Sequence, residues 1–217
     1  MIKLILVGNS DVGKSSIISQ YVNKEISDTH LSTITNEKLK KIVKIKDKEL
    51  ELDIWDTVGQ ENFRSVNKIF MKKAEIVLLV YDITNRKSFD ELEFWYEQVI
   101  ENCSDSIVVI AIAANKSDLY EEQNVDFDEG KEFAKKKSIN IIEETSSLDF
   151  ENIDSLFNKI LLEYIDKKYS NDSIDNDNNN QNEINKDENK SFSLINSQSI
   201  NENSNSCNKD PFCVNEY

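Results

Sequence analysis

The chain has 217 residues, room for one ordinary domain with an appendage or for two small domains. Its 26 basic and 41 acidic residues leave a net charge of −15, which argues against nucleic-acid binding through phosphate contacts and against a polybasic membrane anchor. Cys103, Cys207 and Cys213 are too few and too scattered for a disulfide framework, and no CxxC pair suggests zinc, so a reducing compartment is expected.

Ile2–Val7 reads as a buried strand. Six residues cannot form a signal-peptide core or a membrane span, and Ile2 stands where myristoylation needs glycine, so no targeting segment is expected. The next stretch, Gly8-Asn9-Ser10-Asp11-Val12-Gly13-Lys14-Ser15, matches G-x-x-x-x-G-K-[ST] and opens an amphipathic helix at Lys14–Asn23. A strand, a glycine-bearing curl and a helix N-terminus together aim backbone N–H groups at phosphates. Gly8, Asn9, Ser10, Asp11, Val12, Gly13, Lys14, Ser15 and Ser16 are therefore the expected phosphate contacts. Lys14 would reach the β- and γ-phosphates, and the Ser15 hydroxyl would ligate Mg²⁺. The acid at Asp11 is unexpected beside an anion, although Asp tolerates left-handed backbone angles better than most residues.

Lys38–Lys46 and Leu50–Trp55 read as two strands joined by a polar turn over Lys46–Glu49, hence a hairpin with one antiparallel strand. Asp56 ends the second strand in position to hold Mg²⁺ through water, and Gly59 lets a backbone N–H approach the γ-phosphate. Further strands fit Glu75–Tyr81, Ile107–Ala113 and Asn140–Glu143, with helices at Arg86–Asn102, Phe127–Lys137 and Asn152–Lys168. Runs such as EIVLLVYDI are apolar on both faces, as central parallel strands covered by helices should be. The alternation defines an α/β domain. Asn115-Lys116-Ser117-Asp118 follows directly on one of these strands, and its carboxylate can accept from the N1–H and 2-amino group of guanine. Adenine lacks that pair of donors, so Asp118 would select guanine.

From about Ser170 the composition turns to Asn, Ser and Asp, with nine acids against three lysines over 170–217. Too little apolar surface is present there to offset chain entropy, and a disordered tail over 169–217 is expected after a domain over 1–168.

In their order these motifs resemble the small Ras-type GTPases, and among them the chain is most similar to the Rab family. Asp56-Thr57-Val58-Gly59-Gln60-Glu61, Asn62-Phe63-Arg64-Ser65-Val66 and Tyr81-Asp82-Ile83-Thr84 carry the closer likeness. The resemblance implies a P-loop NTPase small G domain: a six-stranded, mostly parallel sheet with one antiparallel edge strand, five helices over both faces, and a GTP/GDP switch with Mg²⁺ working in vesicle traffic. It implies that Thr33 ligates Mg²⁺ only with GTP bound, so that Ser15, Thr33 and Asp56 form the metal set. Gln60 would orient the attacking water and, with Lys14, make up the catalytic pair. Ser146 and Ser147, within Glu144–Leu148, would present backbone N–H groups to the guanine oxygen. Asn115, Lys116 and Asp118 would hold the base.

Exchange factor, activating protein and effectors are implied through Thr33–Lys38, Trp55 and Gln60–Phe70. A monomer is implied, cytoplasmic or peripheral on the cytosolic face of endomembranes. No arginine is placed to act in cis, so slow turnover with a partner's help is expected.

The chain departs from the family pattern at several points. Lys38 stands where a phenylalanine usually joins two other aromatics, here Trp55 and Phe70. Ile26 replaces an aromatic against the guanine ring, which would weaken retention by about 1 kcal/mol. His30 stands where a tyrosine often covers the phosphates, and Leu148 replaces a lysine. Cys207 and Cys213 do not form the usual prenylated pair, so double prenylation is not expected and membrane contact is left open. A guanine-nucleotide-binding interaction module with little hydrolysis is the alternative reading, and Asp118 opposes an ATPase or kinase.

Overall fold

β1 (Ile2–Val7) lies at the centre of a six-stranded sheet in the computed structural model, which describes residues 1–24, 37–56, 70–149 and 152–169. Its neighbours are β3 (Lys48–Asp56) and β4 (Ile76–Asp82), both parallel to it, and the spatial order is β2-β3-β1-β4-β5-β6. β2 (Glu37–Ile45) pairs antiparallel with β3 and forms one edge; β5 (Val109–Asn115) and β6 (Ile141–Thr145) continue the parallel sheet on the other side. The fold is the α/β arrangement the motifs imply, with one antiparallel edge strand.

Side chains alternate between two apolar layers because strand side chains point to opposite faces with period two. Leu4, Leu6, Leu52, Ile54, Leu78, Val80, Ala111 and Ala113 face a first core, closed by α1 (Lys14–Asn23) and by α5, which spans 153–169. Tyr21 of α1 and Phe157 of α5 stack there at 3.7 Å between centroids. Ile5, Val7, Val77, Leu79, Tyr81, Ile112 and Ala114 face the second core. That layer is closed by α3 (Leu92–Cys103) through Leu92, Trp95 and Val99, and by α4 (Phe127–Lys136) through Ala134.

Several expected boundaries move by a residue or two, and three of the shifts are informative. Ile45 pairs directly with Lys48, so the hairpin turn is only Lys46-Asp47, with Lys46 at φ 54°; strand pairing extends into the polar residues expected to form the turn. The helix expected over Arg86–Asn102 is two segments, α2 (Arg86–Asp90) and α3, separated at Glu91, whose ψ of −3° loosens one turn. Backbone bonds from Glu91 N to Lys87 O and from Trp95 N to Glu91 O carry the chain through, so the break is a kink. β5 begins and ends two residues later than its apolar run predicts, because Asn115 continues the ladder opposite Asp82 and Thr145.

A 3₁₀ turn over Ser117–Glu122 follows it, which the polar sequence there does not announce. No helix among the described residues is long and apolar enough to cross a membrane. Of the segment 169–217 expected to be a disordered tail, Tyr169 ends α5, and 170–217 lies outside the described residues.

Candidate functional site

Ligands of open parallel sheets bind beyond the carboxyl ends of the strands, and here those ends bring the motifs together. The loop Gly8–Gly13 joins β1 to α1. Gly13 caps α1 with φ 93° and offers no side chain to occupy the first-turn N–H groups, which leaves them to a ligand. A Cβ on Gly13 would also lie 2.2 Å from Asn115 Nδ2, so no other residue fits without displacing Asn115. Asp11 takes φ 61° and is exposed, as expected of an acid that supplies backbone curvature while its carboxylate faces solvent. Val12 is buried in the first core and holds the loop down; Ser10 and Ser16 are half-buried.

Lys14 is only 5% exposed, and its ammonium donates to the carbonyls of Gly8 at 3.0 Å and Asn9 at 2.5 Å. Burial pushes its pKa down to about 8, opposed by the carboxylates of Asp56 and Asp11. The Ser15 hydroxyl donates to Asp56 Oδ2, so the hydroxyl and the carboxylate expected to share Mg²⁺ touch each other across 41 residues of chain. Two hard oxygen ligands, rather than a full protein cage, suit a cation that keeps waters and phosphate oxygens in its shell.

At the base end, Asn115 is fully buried and both ends of its side chain are engaged. Nδ2 donates to Val12 O at 2.8 Å, and Oδ1 accepts from Thr145 Oγ1 at 3.1 Å. It therefore ties the phosphate loop to the end of β6, a role its place in an N-K-x-D motif does not disclose. Lys116 takes φ 68° and pairs with Asp82 Oδ2 at 2.5 Å. Asp82 Oδ1 accepts from both the backbone N–H (2.8 Å) and the hydroxyl (2.7 Å) of Thr84. Asp118 Oδ1 accepts from Ser146 Oγ at 2.6 Å, and Ser146 Oγ accepts from Asp149 N at 3.0 Å. Ser147 lies half-buried against the loop, 3.8 Å (Oγ) from a Cβ built on Gly13, while Leu148 is 56% exposed.

Thr33, Gly59 and Gln60 lie outside the described residues, as do Ile26 and His30. Of the expected partner surface, Trp55 and Phe70 meet at 5.7 Å between ring centroids. Lys38 pairs with Asp53 at 2.7 Å and places its ammonium 5.4 Å from the Trp55 ring, which Lys3 approaches at 4.9 Å. The Trp55 ring is thus flanked by two cations, Lys38 held by Asp53 and Lys3 donating to the Lys72 carbonyl at 2.9 Å. Burial lowers the Lys3 pKa first, and Lys38 lowers it further.

A strand-loop-helix anion cradle, with a lysine folded over its carbonyls and a carboxylate waiting at the base end, defines a P-loop nucleotide-binding α/β domain. A Ras family profile matches residues 3–167. Among curated relatives, the chain is 36% identical over 165 residues to the mouse Ras-related protein Rab-17, covering 76% of each chain. It is 40% identical over 158 residues to Ras-related protein Rab-11B of Dictyostelium discoideum, covering 73% of this chain and 71% of the relative. It is 38% identical over 161 residues to Ras-related protein Rab11A of Lotus japonicus, with 74% and 70% covered. The chain belongs to the Ras family, and within it is a Rab-like small GTPase.

Proposed function

We propose that the chain binds GTP and GDP with Mg²⁺ and slowly hydrolyses GTP as a switch in vesicle traffic, with the domain over 1–168 doing the chemistry. The reading rests chiefly on the meeting of Ser15 with Asp56 at one end of the site and of Ser146 with Asp118 at the other.

In this reading the first-turn N–H groups of α1 and the Lys14 ammonium bind the phosphates, so positive charge is already in place where negative charge redistributes during transfer. Ser15, Asp56 and Thr33 would hold Mg²⁺, which neutralises charge on the β- and γ-phosphates. Gln60 positions water, and positioning rather than covalent chemistry lowers the barrier. Asp118 accepts two donors from guanine, steadied meanwhile by the Ser146 hydroxyl. Exchange factor, activating protein and effectors would meet Thr33–Lys38, Trp55 and Gln60–Phe70, on a monomer at the cytosolic face of endomembranes.

The test is single-turnover hydrolysis of bound GTP by the wild type and by Gln60→Leu, with ATP as a competitor. Faster turnover by the wild type and tighter GTP than ATP binding support the proposal. Equal rates with retained GTP binding leave a nucleotide-dependent interaction module. Tighter ATP binding removes the guanine reading altogether.

A further inference from the structure

Asn9, the second residue of the phosphate loop, is tied to a helix that no phosphate-binding motif includes. Trp95 lies on α3, 2% exposed, and its indole Nε1 donates to Asn9 Oδ1 at 2.7 Å across 86 residues of chain. An indole nitrogen only donates, so the amide of Asn9 must turn its oxygen toward α3. The main-chain carbonyl of the same residue accepts the Lys14 ammonium at 2.5 Å. Asn9 thus has one acceptor on the helix and the other on the lysine. The indole has little freedom to leave: it packs among Leu92 and Val99 in the second core and sits edge-on to Phe94 at 5.3 Å.

We infer that Trp95 is a positioning residue for phosphate binding. By holding the Asn9 side chain it fixes the plane of the Asn9 peptide, and through that carbonyl it fixes where the Lys14 ammonium stands. The inference rests on the nucleotide reading above. It makes a finer claim: the effect of Trp95 falls on the phosphates and not on the base, because Lys14 serves only the phosphates.

Trp95→Phe keeps an aromatic ring in the core and removes the N–H donor together with part of the indole's volume, a packing loss that the thermal midpoint reads separately. One hydrogen bond to a polar side chain is worth about a five-fold change in an equilibrium or rate. GDP release from Trp95→Phe is therefore expected to quicken about five-fold, with no comparable change in the affinity for guanosine, which carries no phosphate. In an Asn9→Ala background, where the acceptor is gone, Trp95→Phe is expected to add nothing.

The measurement is the off-rate of a fluorescent GDP analogue from wild type, both single variants and the double variant, with guanosine affinity and thermal midpoint taken alongside. A Trp95 that merely packs α3 predicts the opposite pattern: equal acceleration in both backgrounds and equal losses for guanosine and GDP. That additive result overturns the inference while leaving nucleotide binding intact. Failure of the wild type to bind GDP at all overturns both, so the two failures are told apart by the wild type alone. As a direct check, the indole Nε1–H resonance of Trp95 should move on adding GDP and should do so less in Asn9→Ala; an unmoved resonance counts against the link.

Discussion

Asp11 shows how one residue serves two demands. Its φ of 61° supplies the curl that glycine often supplies, and its carboxylate is close enough to Lys14 to help hold that lysine charged. Facing bound phosphates, the same charge is repulsive, softened by solvent. Asp11→Gly retains the backbone angle and removes the charge, so GDP release should slow by about two- to five-fold, the scale of an exposed charge pair. An unchanged off-rate would make the carboxylate a bystander.

Cys103 gives a second residue-scale expectation. Its thiol donates to Val99 O at 3.0 Å, and burial pushes its pKa up to about 11, with Lys3 pulling the other way. The unfolded thiol titrates near ~8.5, so the folded state keeps a proton that the unfolded chain gives up. The stability contributed by that difference is fully present below the unfolded value and is lost as pH rises through about 11. Alkylation of Cys103 in the folded protein at pH 8, followed by mass spectrometry of its peptide, should be far slower than in denaturant.

At this scale the three motifs were legible because each is a short run whose meaning depends on adjacent residues. Trp95, Asp82 and Thr145 were not, since each acts on a motif residue from another element. Asp82, an acid ending an otherwise wholly apolar strand, was the one visible hint. Trp95 carried none, because a tryptophan on an amphipathic helix reads as core and is core on every atom but one.

Among the elements, α5 packs behind the helix that carries the phosphate-side residues. Phe157 stacks on Tyr21, and α1 carries Lys14 and Ser15 at its other end. Phe157→Ala removes a fully buried ring and should cost about 3–5 kcal/mol of stability. A thermal or denaturant unfolding curve would check it, with retained secondary structure showing that the fold survives. The glycine of α4 belongs here too. Gly130 lies in no motif, yet a Cβ there would stand 2.7 Å from the Tyr81 hydroxyl and 2.9 Å from Ile142 Cδ1. Helical periodicity could place α4 but could not reveal that a tyrosine on β4 needed the space. The kink at Glu91 was hidden for a related reason: both segments share one apolar stripe, so their periodicity reads as a single helix.

For the whole molecule, charge is spread unevenly. The segment 170–217 carries −6 of the net −15, leaving −9 on the domain. The described residues close both cores, the last of them Ile165, and the Asn, Ser and Asp composition of 170–217 offers little apolar surface to add to either. Deleting 170–217 is therefore expected to leave the thermal midpoint and the GDP off-rate unchanged, while altering where a tagged copy resides in the cell. A lower midpoint would mean that the segment contributes to folding.

The Lys38–Trp55–Lys3 cluster also acts at this scale, since it gives an acidic molecule one locally cationic aromatic face. That face is legible in the sequence only as a substitution, and the pairing of Lys38 with Asp53 emerges with strand register.

On the nucleotide reading proposed above, Asn115 has a kinetic consequence. It bonds the loop that cradles phosphates and the strand end that precedes the base contacts, with no slack residue between them. Disturbing one grip therefore disturbs the other, and a nucleotide cannot easily be let go by one end while held by the other. Departure becomes one concerted escape over a single barrier. An exchange partner that pries at either rim of the pocket lowers that same barrier, and need not reach across to the far side.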